Sequence, residues 1–253
     1  TDSGNSLAQA SVGDLSNALV LAHGAESDAG SPFDGRLDEV RLYSRTLAAG
    51  EIKSLFDLGN PDKLNASISQ DQGTGRLSAG VAGYWPLDDN SGTGAADSST
   101  NGNNGTLTNG PSWTTGQIGS AVDLDGNNDH VSVSDDIALN ATDTADLTIT
   151  GWFNRDTFTT DDTVIAKRNG IAAGDIGYII YIDDATDQLI FEASDGTDEY
   201  SLTSVSTFTA TGWHHFVVTW DENSAANSEI YIDGVANNAT DSGTIGNIGT
   251  LTN

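Results

Sequence analysis

The segment DSSTNG at residues 97–102 offers the clearest candidate chemistry in the chain. Asp97, Ser99 and Asn101 occupy alternate positions, and Gly102 follows them. Alternating oxygen-bearing side chains followed by a glycine turn form the beginning of a calcium-binding loop, which surrounds a hard cation with oxygen ligands. Thr108 stands where an EF-hand loop needs its closing glutamate, so the segment is not an EF-hand. The same residues also fit a polar turn loop that binds no ion.

Other carboxylates cluster at Asp123, Asp125 and Asp129. The Asp-Gly pair within this group is more typical of a hairpin turn than of a metal site. The acidic segments 183–188 and 221–229 are also interpreted as solvated hairpin loops. At the cluster 123–129 and in both acidic segments, a polar loop is therefore favoured over a metal site.

Histidine and tryptophan residues add few candidates. His214 and His215 are adjacent on a predicted strand, so one points inward and the other outward, and a structural role is favoured. His23 and His130 have no chelating spacing, so the sequence does not predict a zinc site. Aromatic side chains can stack on sugars, and the two tryptophans outside the predicted core motifs are candidates for a ligand-binding platform: Trp113 and Trp220.

The elements that would position these residues are almost all predicted strands. Short runs rich in Ile, Val, Thr, Tyr and Phe alternate with period two and are separated by Asp, Gly, Asn and Ser, which predicts a sandwich of two antiparallel sheets. The predicted strands are 17–23, 38–44, 82–87, 120–126, 130–134, 146–153, 162–167, 177–183, 187–194, 199–204, 213–221 and 228–234. Apolar residues near helical spacing predict one short helix over 47–59, followed by a linker over 61–81.

With these strands placed, the chain resembles the laminin G-like, concanavalin A-like lectin/glucanase jelly roll found in bacterial and archaeal surface proteins. The motifs that carry the resemblance are GYWPLDDNSGTGAADSSTNGNNGTL (83–107), GSAVDLDGNNDHVSV (119–133), DLTITGWF (146–153), GWHHFVVTWDENSAANSEIYIDG (212–234) and FDGRLDEVRLYSRTLAAGEI (33–52). Leu124 replaces the usual phenylalanine of the second motif. The resemblance implies an all-β jelly roll with one short helix.

The motif that closes a domain of this family stands here near the start of the chain. Residues 1–60 match the closing strands and terminal helix, residues 61–81 form the linker, and residues 82–253 match the opening and central strands. Three arrangements follow: a circular permutant that closes on itself, one repeat of a tandem array, or a strand that completes the next copy head to tail. The sequence leaves all three open.

The resemblance also implies a structural Ca²⁺ site. Modules of this kind often hold the ion between the loop after the opening strand and the start of the closing strand. Carried onto this sequence, the ligands are Asp97 and Asn101, carbonyl groups near Asn103 and Gly105, and Asp38. This ion would tie residues 1–60 to the rest of the domain.

Composition and motifs limit the function classes. The formal net charge is −28, from 9 basic and 37 acidic residues, so we expect neither nucleic-acid binding nor membrane insertion. Glucanases of this fold carry an E-x-D-x-x-E motif, which the sequence lacks, so we expect no enzyme activity. The leading hypothesis is an extracellular, calcium-stabilised structural or adhesive module that associates with further copies of itself. The alternative is a monomeric lectin-like module that binds cell-surface glycans.

Overall fold

The computed structural model describes residues 17–23, 31–60, 77–140, 146–168, 175–221, 224 and 227–242. They form a sandwich of two antiparallel sheets around one large apolar core. This confirms the predicted all-β class with two sheets and one short helix.

The first sheet has nine strands. They are β1 (Leu19–Leu21), β4 (Gly94–Ala95), β5 (Gly105–Thr108), β8 (His130–Val133), β10 (Asp162–Arg168), β11 (Gly177–Ile182), β12 (Gln188–Ser194), β13 (Glu199–Thr207) and β17 (Asn238–Ser242). Their order across the sheet is β17-β13-β12-β11-β10-β1-β8-β5-β4.

The second sheet has eight strands. They are β2 (Asp34–Tyr43), β3 (Val81–Trp85), β6 (Ser112–Thr115), β7 (Ser120–Asp125), β9 (Leu147–Arg155), β14 (Trp213–Trp220), β15 (Glu229–Ile232) and β16 (Val235–Ala236). Their order is β16-β15-β14-β9-β2-β7-β6, and β3 pairs with the second half of β2.

Side-chain alternation decides which face of each strand enters the core. On β11, Tyr178, Ile180 and Ile182 belong to the core, whereas Ile179 and Tyr181 lie on the opposite face. A one-residue shift in pairing would exchange these two sets, so burial of the apolar set fixes the register of the strand. The alternate side chains of β10 to β13, most of which are polar, therefore lie on the outer face of the sheet.

Both strands of the N-terminal segment lie inside the sandwich of their own chain. β1 pairs with β8 on one side and β10 on the other, and β2 pairs with β9 on one side and with β7 and β3 on the other. Within the described residues, the strands of the N-terminal segment thus pair with strands of residues 77–242, and which of the three arrangements the protein adopts in solution stays a prediction. Removing β2 would leave β9 with an unpaired edge.

The helix α1 (Ala49–Leu58) packs on the second sheet, as the sequence predicts for residues 47–59. Its buried residues Ile52 and Leu55 form a small second cluster with Tyr43 and Val217. Glu51 accepts a hydrogen bond from the backbone N–H of Ala48 at 2.9 Å, which stabilises the first turn. No helix in the described ranges is long and apolar enough to cross a membrane.

Candidate functional site

The loop after β3 brings together most of the residues in the predicted calcium set. Both carboxylate oxygens of Asp97 accept hydrogen bonds, from the backbone N–H groups of Tyr84, Ser99 and Asn103 at 2.8–2.9 Å and from the Ser99 hydroxyl at 2.7 Å. Burial acts to raise the pKa of Asp97, but these hydrogen bonds outweigh it and lower the pKa. Asp97 is thus an ionised carboxylate that organises the loop around itself.

The other loop members of that set face backbone groups. The Asn101 side-chain amide donates to the carbonyl oxygens of Val81 and Ala82, and that of Asn103 also donates to Ala82. The Asn103 carbonyl accepts the indole N–H of Trp85 at 2.8 Å, and Gly105 begins β5. These contacts account for the alternating polar residues of the loop as a hydrogen-bonded turn that needs no ion. Binding of Ca²⁺ at this loop stays a prediction.

Asp38 lies at the point where β7 and β3 separate along β2. Its side chain is fully buried, and Oδ2 accepts the backbone N–H of Ile118 at 2.8 Å. Burial, with a smaller contribution from Glu39 and Asp88, raises the pKa of Asp38 to about 7. Among the described hydrogen bonds none joins Asp38 to the loop of Asp97, and the place of Asp38 in the calcium site stays a prediction.

The two predicted tryptophan platforms differ in burial. Trp220 is 1% exposed and packs in the core near Phe191, so it offers no face to a ligand and the expectation for this residue is wrong. Trp220 belongs to the inward set of β14, and its indole is needed to fill the space between the sheets. Trp113 is half-buried, and its indole N–H donates to the Gly92 carbonyl at 3.0 Å.

The histidines and the second carboxylate cluster are also placed. His214 lies on the core-facing side of β14 and is hydrogen-bonded to Asp233, whereas His215 is buried on the opposite face beside Trp152, so the two side chains alternate as expected. The Asp125 carboxylate accepts the backbone N–H of Asn127 within a turn between β7 and β8, as expected for a hairpin.

A polar cleft lies on the outer face of the first sheet. Its volume is about 180 Å³, and its walls come from β10 to β13 and the two segments that approach β10. The lining residues are Ser31, Asp161, Thr163, Arg168, Ile179, Tyr181, Glu192 and Glu199. Seven of these eight side chains carry a polar group, so the cleft suits a ligand with many hydroxyl groups.

A network of fixed charges forms one wall of the cleft. The Arg168 guanidinium contacts the carboxylate of Glu192 at 3.0 Å and that of Glu199 at 4.0 Å. The Tyr181 hydroxyl donates to the other oxygen of Glu192 at 3.0 Å. Burial, followed by the nearby Glu192, raises the pKa of the Tyr181 phenol, which therefore stays a hydrogen-bond donor. Glu192 is held in one orientation by donors on both sides.

Thr163 contributes a different kind of group. The residue is fully buried, and in the described part of the chain its Oγ1 has no hydrogen-bond partner. Leaving a buried hydroxyl without a partner costs about 1–3 kcal/mol. Thr163 lines the cleft with its hydroxyl closed to solvent, so a ligand oxygen would supply the missing partner once the side chain rotates outward.

Three carboxylates meet at one end of the cleft. One oxygen each from Asp161, Asp183 and Asp184 lies within 4.8 Å of the others, so this triad could hold a metal ion. Asp161 Oδ1 also accepts the backbone N–H of Asp184 at 2.9 Å. Burial, opposed by that hydrogen bond and reinforced by the other two carboxylates, raises the pKa of Asp161. Asp161 belongs to both the triad and the cleft.

Sequence reasoning missed the triad and the cleft. The segment 183–188 was interpreted as a solvated loop, and Asp161 was not considered. The available signal was a run of polar residues at outward positions on β10 to β13. These polar residues form a site only because strand pairing places Thr163 opposite Tyr181. Periodicity within one strand does not reveal that pairing.

Comparison with known proteins supports the assignment of the fold. Residues 125–252 match a family model described as the concanavalin A-like lectin/glucanases superfamily. Neither the curated proteins nor the solved structures gave a significant match to this chain. The matched segment covers half of the sequence and includes every strand that lines the cleft. The chain belongs to the concanavalin A-like lectin/glucanase superfamily.

Proposed function

We propose that the chain is a non-enzymatic, extracellular module that binds glycans in the cleft on its first sheet, with Ca²⁺ at the adjoining acidic triad. This is the lectin-like alternative among the two hypotheses drawn from the sequence. Binding sites for small ligands are concave and place a few polar groups precisely, which is the character of this cleft. Adhesion to a cell surface is the role that such a module would perform.

The observation that carries the proposal is the Thr163 hydroxyl. If stability alone determined the residue at position 163, valine would be favoured over threonine. Valine has the same shape and lacks the buried hydroxyl that has no partner. A ligand hydroxyl gives the threonine a reason to be present. The pinned Glu192 and the Tyr181 hydroxyl lie in the same cleft and supply an acceptor and a donor at fixed positions.

The charge of the cleft narrows the class of glycan. Asp161, Glu192 and Glu199 carry carboxylates, and Arg168 is the cation among the lining residues. That guanidinium contacts two carboxylates of the cleft itself, those of Glu192 and Glu199. Neutral sugars are therefore expected to bind, and uronic or sialic acids are expected to be repelled.

Calcium is the ion that fits the triad best. Its donors are all carboxylate oxygens, which are the ligands of Ca²⁺ and Mg²⁺ rather than of softer metals. When bound, the ion neutralises repulsion between Asp161, Asp183 and Asp184 and fixes the side chain of Asp161 at the edge of the cleft. Glycan binding should therefore weaken when calcium is removed.

The test uses Thr163→Val in the full chain, with Thr106→Val on the exposed face of β5 as its control. We expect Thr163→Val to raise the stability of the free protein by about 1 kcal/mol and to weaken glycan binding about tenfold, since one hydrogen bond to the ligand is lost. Calorimetric titration with a glycan selected on an array measures the affinity, and urea unfolding measures the stability. Unchanged affinity in Thr163→Val, or hydrolysis of the glycan by the wild type, would contradict the proposal.

Head-to-tail association with further copies stays a prediction of the sequence. In the structure, β2 pairs within its own chain with β9 on one side and with β7 and β3 on the other, so a closed module needs no neighbour to pair with this strand. Association would require residues 31–60 to be exchanged between copies. The mass of the protein in solution distinguishes the two arrangements.

A further inference from the structure

We propose that His23 and His130 form a binding site for a first-row transition-metal ion such as Zn²⁺ or Cu²⁺. This site is separate from the proposed function, because neither histidine lines the cleft or belongs to the acidic triad. The spacing of the two residues in the sequence gave no indication of it. Strand pairing brings them together.

The two rings lie at a separation that suits a shared ion. His23 follows β1 and His130 begins β8, and these neighbouring strands pair through Leu21 and Val131. The ring centroids are 5.5 Å apart, and the ring planes are inclined by 46°. Two imidazoles on one tetrahedral ion, each with a metal–nitrogen distance of about 2.0–2.1 Å, have centroids roughly 5 Å apart. Small side-chain adjustments would therefore let both rings bind the same ion.

The His130 ring is already oriented as a metal ligand. Its Nδ1 lies 2.9 Å from the backbone carbonyl oxygen of Asn128, to which the neutral ring donates. That bond fixes the tautomer that keeps the lone pair of Nε2 available for a metal. The Asn109 side-chain amide donates to the same carbonyl at 2.9 Å and holds it in place. Histidine ligands in metal sites are typically supported by an outer hydrogen bond of this kind.

The local charge favours a cation at the same place. Asp129 precedes His130 and is 6% exposed. The net charge of the whole chain is −28. A divalent ion held by the two imidazoles would reduce the repulsion among the carboxylates of the chain, and water would complete its coordination.

The test is calorimetric titration of the full, untagged chain with Zn²⁺ in millimolar Ca²⁺, so that oxygen-ligand sites are already filled. We expect one zinc ion per chain, and at least a tenfold loss of affinity in His23→Gln and in His130→Gln. The matched control is His214→Gln, which removes a partly exposed imidazole that is hydrogen-bonded to Asp233 and should leave zinc affinity unchanged. Absence of zinc binding by the wild type, or equal affinity in the double variant, would overturn the proposal.

A spectroscopic measurement on the wild type covers the case in which a variant does not fold. The electron paramagnetic resonance spectrum of the chain with one equivalent of Cu²⁺ should show splitting from two imidazole nitrogens. A spectrum with oxygen ligands alone would contradict the site. Acidic pH should abolish the nitrogen splitting, since metal binding requires deprotonated ligands.

Discussion

Three of the basic residues in the described part of the chain are buried rather than spread over the acidic surface: Arg155, Lys167 and Arg168. Each contacts a carboxylate, since a buried charge without a partner is strongly unfavourable. The Arg155 guanidinium contacts Asp162, which is fully buried, and also contacts Asp187 at 2.7 Å. Burial raises the pKa of Asp162 to about 6 even though Arg155 acts to lower it. This pair lies directly behind the cleft, because Asp162 stands between Asp161 and Thr163.

Replacing Arg155 should therefore be costly. We expect Arg155→Met to lower the free energy of unfolding by about 3–5 kcal/mol, because it leaves the Asp162 carboxylate buried without its partner. Arg36→Met is the control: Arg36 contacts Asp123 and Asp156 at the surface, and removing an exposed pair costs about 0–1 kcal/mol. Urea unfolding at pH 7 compares the two variants, and equal losses would contradict this account.

His215 makes the free energy of unfolding depend on pH. Burial, followed by the positive charge of Arg41, lowers the pKa of His215 to about 3. The unfolded chain binds a proton at this residue near pH 6.5, whereas the folded chain does not bind it until about pH 3. Since the unfolded state holds more protons between these values, the stability contributed by His215 is complete above pH 6.5 and is lost as pH falls towards 3.

A comparison of wild type with His215→Gln isolates this contribution, because the two proteins share all other titrating groups. Between pH 7 and pH 5 the wild type should lose about 2 kcal/mol more of its free energy of unfolding than the variant does. Urea unfolding at both pH values measures the difference. The same loss in both proteins would show that His215 takes up its proton without unfolding.

Among the elements, β2 approaches the neighbouring strand β9 closely at Gly35. Gly35 on β2 has φ +144°, and a Cβ atom there would lie 2.1 Å from the carbonyl oxygen of Asn154 on β9. We expect Gly35→Ala to destabilise the protein by at least about 2 kcal/mol, because the strand must shift or the backbone must strain. Gly50→Ala on α1 is the control: a Cβ there meets nothing within 4 Å, and alanine should stabilise the helix by up to about 1 kcal/mol. Thermal unfolding that ranks the two variants in the opposite order would contradict the described packing.

The sequence predicts secondary-structure elements wherever the hydrophobic pattern is long. It does not predict the cleft or the acidic triad. Every predicted strand is present, and α1 differs from its predicted bounds by one or two residues at its ends. The sequence did not indicate five of the described strands, β4, β5, β6, β16 and β17, of which β4 and β16 have only two residues and cannot show alternation. Thr163 and Glu192 are neighbours in the cleft only through the order of β10, β11 and β12, which depends on packing of the whole sandwich.

At the scale of the whole molecule, the N-terminal segment closes its own sandwich. The expected mass in solution is that of one chain, 26.2 kDa, and it should not change when calcium is chelated. A fragment of residues 61–253 lacks β1 and β2 and should aggregate, and a peptide of residues 1–60 should restore its solubility. Light scattering tests both statements. A large mass for the full chain, or a soluble fragment that melts cooperatively, would contradict closure within the chain.

Glycan binding by the intact chain tests the central claim most directly. The measurement is binding of the labelled wild type to a glycan array, once in millimolar calcium and once with a chelator. The account predicts binding to a restricted set of neutral glycans, weakened by chelation and absent for acidic sugars. No binding to any glycan, or binding that favours uronic and sialic acids over neutral sugars, would contradict it.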